Sequence, residues 1–154
     1  MDATDRLLVQ LLQADGRATQ LQLAKEVGLS QPATAERIRK LEDAGVITGY
    51  TARVDATKLG KDVTAFVGVG IEHPKFFEAF TKKVLAMPEV LECHRVAGQD
   101  SYLLKVRTTN TRTLDTLLVD RLRTIPGVTR TFTTIVLSSA KEDPRVHVDP
   151  EEHA

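Results

Sequence analysis

Two segments of this chain follow one pattern. Val84–Val96, VLAMPEVLECHRV, and Leu122–Thr134, LRTIPGVTRTFTT, each show a helix end, a Met or Ile, a proline and, two residues on, a valine that opens a β-rich run. The prolines, Pro88 and Pro126, lie 38 positions apart (126 minus 88). A proline cannot continue a helix, because it lacks the amide and its ring crowds the preceding turn, so each copy reads as helix, stop, strand. Ahead of the first copy, Val63–Ile71 alternates with small residues and contains Gly68 and Gly70, as expected of a strand closely approached by another backbone. Pro74 then opens a helix with apolar positions Phe76, Phe77, Phe80 and Val84. Val90–Val96 and Tyr102–Arg107 read as strands joined by a turn at residues 98–101. A second helix from about Thr111 carries Leu114, Leu117, Leu118 and Leu122, and Val128–Leu137 is the last strand.

A strand–helix–strand unit used twice gives βαββαβ, the ferredoxin-like arrangement with helices on one face of an antiparallel sheet. The other face must be covered. Val67, Val69, Ile71, Leu104, Val106, Ile135 and Leu137 are the apolar positions available for it, and a second copy of the chain is the simplest cover, so a homodimer is expected.

Before this half lies a different pattern. Asp2 and Asp5 put negative charge in the first turn of an opening helix whose buried side is Thr4, Leu8, Val9 and Leu12, ended by Asp15-Gly16. Thr19 followed by Gln22 has the form of a capping box, so a helix starts near Gln20, with Leu23, Ala24 and Val27 inward and Gly28 at its stop. Ser30 can cap a third helix that carries Pro32 in its first turn. At about 100° per residue, Thr34, Ala35, Ile38 and Leu41 fall on one side of it, and Pro32, Ala33, Glu36 and Lys40 on the other, flanked by Arg37 and Arg39. A short helix, a glycine turn and a second helix with outward arginines is the helix-turn-helix pattern, in which the second helix enters the major groove. The same Arg-rich face also suits a merely solvated helix. Residues 46–54 are β-branched and extended, which predicts a strand after the three helices, the winged variant or a helix-turn-helix with a strand leading out of it. The reading is therefore α+β: a winged helix-turn-helix domain over residues 1–60, a ferredoxin-like domain for effector binding and oligomerisation over 61–140, and a charged tail, 141–154, frayed or a swapped arm.

Lys plus Arg equal Asp plus Glu at 21 each, and the first sixty residues are balanced as well, which counts against indiscriminate polyanion binding but not against a local patch. Cys93 is the only cysteine, so neither an intrachain disulfide nor a multi-thiolate zinc site is available. The acidic N-terminus and the lack of a long apolar run give no export or membrane signal, and a cytoplasmic, nucleoid-associated protein is expected. His73, His94, His147 and His153 show no ligand spacing, no metal or cofactor is expected, and Cys93 and His94 would point to opposite faces of a strand. No enzyme constellation stands out. The turn Ala97–Tyr102, with Gly98, Gln99, Asp100 and Ser101, combines a glycine with groups able to hold an ammonium or a carboxylate, although the same residues also make an ordinary hairpin turn. Thr131 and Thr133 are available nearby in sequence order to the last strand, or are simply β-formers.

Taken in order, Asp15-Gly16-Arg17, Leu23-Ala24, Val27-Gly28-Leu29-Ser30, the run Arg37 to Glu42, Gly45-Val46-Ile47 with Gly49-Tyr50, Leu59-Gly60, and Gly98 with Tyr102-Leu103-Leu104 resemble the Lrp/AsnC family, the leucine- and asparagine-responsive feast/famine regulators. The resemblance runs from Asp2 to about Ser138. It implies a transcriptional regulator with Ser30, Gln31, Ala33, Thr34, Glu36, Arg37, Arg39 and Lys40 toward double-stranded DNA, and with Gly98, Gln99, Asp100, Ser101, Thr131 and Thr133 around a small effector, usually an amino acid. It also implies dimers that assemble further, often to octamers. One departure is plain: where the family commonly has aspartate directly before the tyrosine, this chain has Ser101, with its acid one place earlier at Asp100. Two other classes share parts of the pattern. An enzyme resembling the sirohaem decarboxylases would need histidines and basic residues converging on a tetrapyrrole cavity, for which His94 and Arg95 are candidates, and a partner subunit of the same family would bind no DNA of its own.

Overall fold

The computed structural model describes residues 1–149; the end of the charged tail, with His153, lies outside them. The chain divides into two compact units, one of Met1–Arg53 with the chain from Lys141 onward, the other of Val54–Ala140.

In the first unit, α1 spans Ala3–Ala14, α2 Gln20–Val27 and α3 Gln31–Asp43. Local sequence sets each boundary. Asp2 and Asp5 form a reciprocal capping box at the start of α1, and Thr19 and Gln22 form one at the start of α2. Gly28 closes α2 at φ 67°, a left-handed conformation that a Cβ disfavours, and Ser30 caps α3. Leu8, Leu23 and Leu41 form the buried centre, with Val9, Leu11, Leu12, Val27 and Ile38 packed around them. The strand expected at 46–54 is not there: the amides of Val46 and Ile47 both donate to the Leu41 carbonyl, and no strand of the described residues pairs with this stretch. Extended, β-branched chain is only a strand when a neighbour supplies the ladder bonds. The tail differs from expectation too. Its described part folds back along α1 of its own chain, where the Gln13 amide donates to the Val146 carbonyl at 2.9 Å and its oxygen accepts the Val146 amide at 2.7 Å. Arg6 Nη1 donates to the Asp149 carbonyl at 3.0 Å.

The second unit is βαββαβ. Strands β1 (Val63–Ile71), β2 (Val90–Arg95), β3 (Tyr102–Thr108) and β4 (Val128–Ile135) form one antiparallel sheet in the order β2-β3-β1-β4. Pro74 opens a 3-10 turn that leads into α4 (Phe77–Leu85). Asn110 and Thr113 cap α5 (Thr111–Thr116), which widens into a π-helical stretch, Leu117–Leu122, closed by the Arg123 amide on the Leu118 carbonyl. The widening keeps Leu114, Leu117 and Leu122 fully inward, with Leu118 half-buried.

The helix-covered face of the sheet is Ala65, Val67, Val69, Tyr102, Leu104 and Val106, all buried against Phe80, Val84, Leu114, Leu117 and Leu122. This reverses the expected faces. Val67, Val69, Leu104 and Val106, taken for the open face, lie under the helices, because period-2 alternation fixes which residues share a face but not which face the helices choose. Ile71 also packs against this core, and Ile135, paired with Ala65, shares its side. Leu137 lies beyond β4 and is 96% exposed. The open face instead carries Phe66, Leu103 and Phe132 around Gly68 and Gly70.

Candidate nucleic-acid interface and effector loop

In α3 the Ser30 hydroxyl accepts the Ala33 amide at 3.3 Å, and Pro32 occupies the first turn, so the helix starts sharply and its first residues are uncovered. Gln31, Pro32, Ala33, Glu36, Arg39 and Lys40 are exposed. Arg39 is held as a rigid fork: Nε and Nη2 meet the two Glu36 oxygens at 3.1 and 2.8 Å, and Nη1 meets Asp43 at 2.9 Å. Lys40 Nζ lies 3.8 Å from the same Glu36. The Arg39 guanidinium holds the Glu36 carboxyl below its usual range. A guanidinium fixed by its own helix, with donors to spare, suits a phosphate or a guanine edge.

Two of the residues expected to face DNA lie off the exposed side of α3. Thr34 is fully buried and its hydroxyl donates to the Ser30 carbonyl at 3.0 Å, as its place on the inward side of the helical wheel requires. Arg37 is turned toward α1, with Nη1 2.7 Å from both Asp2 Oδ2 and Asp5 Oδ1.

The loop between β2 and β3 brings Asp100 onto the open face. A Cβ at Gly68 would overlap the Asp100 carboxylate, and one at Gly70 would lie 2.8 Å from Arg130 Cγ, so the two glycines form a floor on which these side chains rest. Arg130 donates through Nη2 to the Gln99 carbonyl and lies 3.3 Å from Asp100 Oδ1. Ser101 belongs to the sheet: its amide donates to the Val69 carbonyl at 2.9 Å, and its hydroxyl accepts the Ile71 amide at 3.1 Å, across the register shift at Gly70/Ile71. Gly98 has open space where its side chain would be. Thr131 and Thr133 do not join this group. They pair with Val69 and Val67 and so share the helix side, where Thr131 accepts a bond from Arg123 Nε at 3.0 Å. Arg130 joins this group although the sequence analysis did not name it; its one signal is its place opposite Gly70, which requires the register to be known.

Cys93 pairs with Leu104 and His94 with Leu103, so their side chains are on opposite faces, as alternation demands. His94 contacts Glu92 at 3.1 Å, while Arg95 lies over the Phe77 ring at 4.8 Å, so these two do not converge. Among the described residues there is no group of three or more potential metal ligands, and no helix is long and apolar enough to cross a membrane.

Residues 64–146 match the profile of the Lrp/AsnC ligand binding domain, and residues 1–48 that of a winged helix-turn-helix DNA-binding domain. The chain belongs to the Lrp/AsnC family. It is 40% identical over 148 residues to the transcriptional regulator LrpA of Mycobacterium tuberculosis, covering 96% of this chain and 97% of LrpA. It is 37% identical to the leucine-responsive regulatory protein of Escherichia coli, covering 95% and 90%. Two solved structures are alike throughout. A transcriptional regulator of Neisseria meningitidis in complex with L-Met has a TM-score of 0.93 at 30% identity, covering 97% of each chain. The feast or famine regulatory protein of M. tuberculosis complexed with L-methionine has a TM-score of 0.89 at 40% identity, covering 96% of this chain and 99% of that one. As an Lrp/AsnC protein the chain is a DNA-binding transcriptional regulator, with the helix-turn-helix pair α2 and α3 in its DNA-binding domain.

Proposed function

We propose that α3 reads operator DNA through Gln31, Ala33, Glu36, Arg39 and Lys40, with Ser30 as the cap that fixes where the helix starts. The observation that carries this reading is the uncovered outer face of α3, on which Arg39 is pre-set by Glu36 and Asp43. The effector is an amino acid, for which Asp100 supplies a carboxylate to the ammonium and Arg130 a guanidinium to the carboxylate, with Gly98 and Gln99 shaping the rim. Relatives crystallised with L-Met support this class of effector. The open sheet face is the dimer interface, further assembly proceeds to octamers, and the protein works in the cytoplasm on the nucleoid without catalytic chemistry of its own.

The test for the interface is a duplex selected by the wild-type protein from a random-sequence pool. Arg39→Ala with Lys40→Ala should abolish its preference over a scrambled duplex while leaving the assembly intact; a retained preference sinks this face. For the effector, melting temperature is followed while amino acids are added one at a time, since a ligand of the folded state raises it by mass action. Gly98→Trp, whose Cβ would meet no atom within 4 Å and whose ring would crowd the loop, should remove the shift; if the shift persists, the loop is not the pocket.

A further inference from the structure

The apolar grip on the reading helix is uneven along its length. The buried residues of α3 are Thr34 and Leu41; Thr34 is a polar residue bonded to its own helix at the Ser30 carbonyl, whereas the α3 residues that join the apolar cluster of Leu8 and Leu23, namely Ile38 and Leu41, lie C-terminal to Arg37. The residues assigned above to DNA begin at Gln31 and Ala33. At 1.5 Å rise per residue Ala33 is about 12 Å along the axis from Leu41, so a tilt of about 5° at that anchor moves it by about 1 Å. That exceeds the range of about 0.5 Å over which a normal N–H···O bond length varies. What meets α3 between its two halves is a charge network: Arg37 Nη1 stands 2.7 Å from Asp2 and 2.7 Å from Asp5, the same two carboxylates that cap α1. Asp5 is the most covered of the three side chains, at 19% exposure against 34% for Arg37 and 51% for Asp2.

We propose that Arg37 is a positioning residue for operator reading and not a DNA ligand: through Asp2 and Asp5 it fixes the pitch of α3 against the first turn of α1. The proposal rests on α3 being the reading helix. Exposed ion pairs contribute little to stability, but a guanidinium shared between two carboxylates on another element fixes a direction that a small apolar cluster leaves soft. Each carboxylate is already tied by its capping bond, Asp5 N to Asp2 Oδ1 at 2.9 Å and Asp2 N to Asp5 Oδ2 at 3.2 Å, so the network is referenced to the α1 backbone and not to two free side chains.

The experiment uses the full chain, the selected duplex and a scrambled duplex of the same length and base composition, each titrated across a salt series. Arg37→Gln, Arg37→Lys, the pair Asp2→Asn with Asp5→Asn, and the combination of that pair with Arg37→Gln are compared with wild type. Asparagine caps a helix as well as aspartate does, so the paired variant keeps α1 while removing the charges. Positioning predicts that Arg37→Gln and the Asn pair each lower the selected-to-scrambled affinity ratio by about three- to tenfold. The combination should lower it no further, and Arg37→Lys should restore part of it. The slope of log affinity against log salt should keep its wild-type value in Arg37→Gln. A slope reduced by about one in Arg37→Gln, with the ratio intact in the Asn pair, makes Arg37 a phosphate ligand and overturns the proposal. Equal loss on both duplexes, with a lowered melting temperature, makes the network merely structural and overturns it as well. Arg39→Ala with Lys40→Ala in parallel reports on α3 itself: if that variant keeps the wild-type ratio, the reading of the helix fails, whatever Arg37 shows.

Discussion

A carboxylate that accepts hydrogen bonds only in the folded chain makes stability depend on pH. Asp2 is such a group: the Asp5 amide, then the Arg37 guanidinium, hold its carboxyl below the usual 3.8. Because the folded value is the lower one, its contribution is fully present above the unfolded pKa and is lost as pH falls through the folded pKa. The first unit should therefore lose stability as acid is added below about pH 4, and Asp2→Asn, which caps but does not titrate, should flatten that loss; acid titration followed by circular dichroism measures it. A different constraint operates at Gly68, where the missing side chain is space used by Asp100. Gly68→Ala should destabilise the sheet unit by about 1–3 kcal/mol through overpacking, and Asp100→Gly in the same chain should recover most of it in urea unfolding. At this scale much was legible, because caps and turns are chosen by neighbours in sequence: Thr19 with Gln22, Gly28, Ser30 and the inward Thr34 follow from spacing alone. The pairing of Asp100 with Arg130, and of Arg37 with Asp2 and Asp5, joins residues some thirty positions apart and has no local signature.

At the scale of elements, the boundaries of α2 rest on few groups, so its cap matters. Thr19→Ala removes the acceptor of the Gln22 amide and should cost about 1 kcal/mol, lowering the melting temperature of a unit this size by about 4–8 °C. The C-terminal segment is held differently, by main-chain groups of Val146 and Asp149 bonded to Gln13 and Arg6 on α1. Sequence reading treated that segment as frayed or exchanged because its prolines and charges give no periodicity; bonds to a backbone leave no pattern in the side chains. Gln13→Ala should free it, and trypsin should then cut after Arg145 faster than in wild type, read by mass spectrometry of the truncated chain. The sheet shows the converse failure. Alternation puts Val67, Val69 and Ile71 on one face, yet Phe66 on the alternate positions is apolar too, so nothing within β1 could say which side the helices would cover. The stretch 46–54 was read as a strand from propensity, which cannot supply a pairing partner.

At the scale of the molecule, the chain crosses between its two units twice, after Arg53 and after Ala140, so the sheet unit is inserted within the DNA-binding one. Any second copy held by the sheet therefore carries a second reading helix with it. The surface available for this is the open face, where Phe132 is 70% exposed beside Phe66 and Leu103. An aromatic ring this exposed on a sheet gains most by burial against an identical face, since a two-fold pairing buries each such residue twice. Phe132→Asp places a charge there that the partner's copy would repeat, and it points away from the helix-side core, so the monomer should still fold. Sedimentation should show the variant as a single chain at concentrations where wild type is assembled. If paired helices contact DNA together, losing the partner halves the phosphates neutralised per binding event, and the slope of log affinity against log salt should fall to about half. A variant that dissociates with an unchanged slope would mean that one reading helix carries the whole electrostatic footprint, and that the sheet's role is assembly without pairing on DNA.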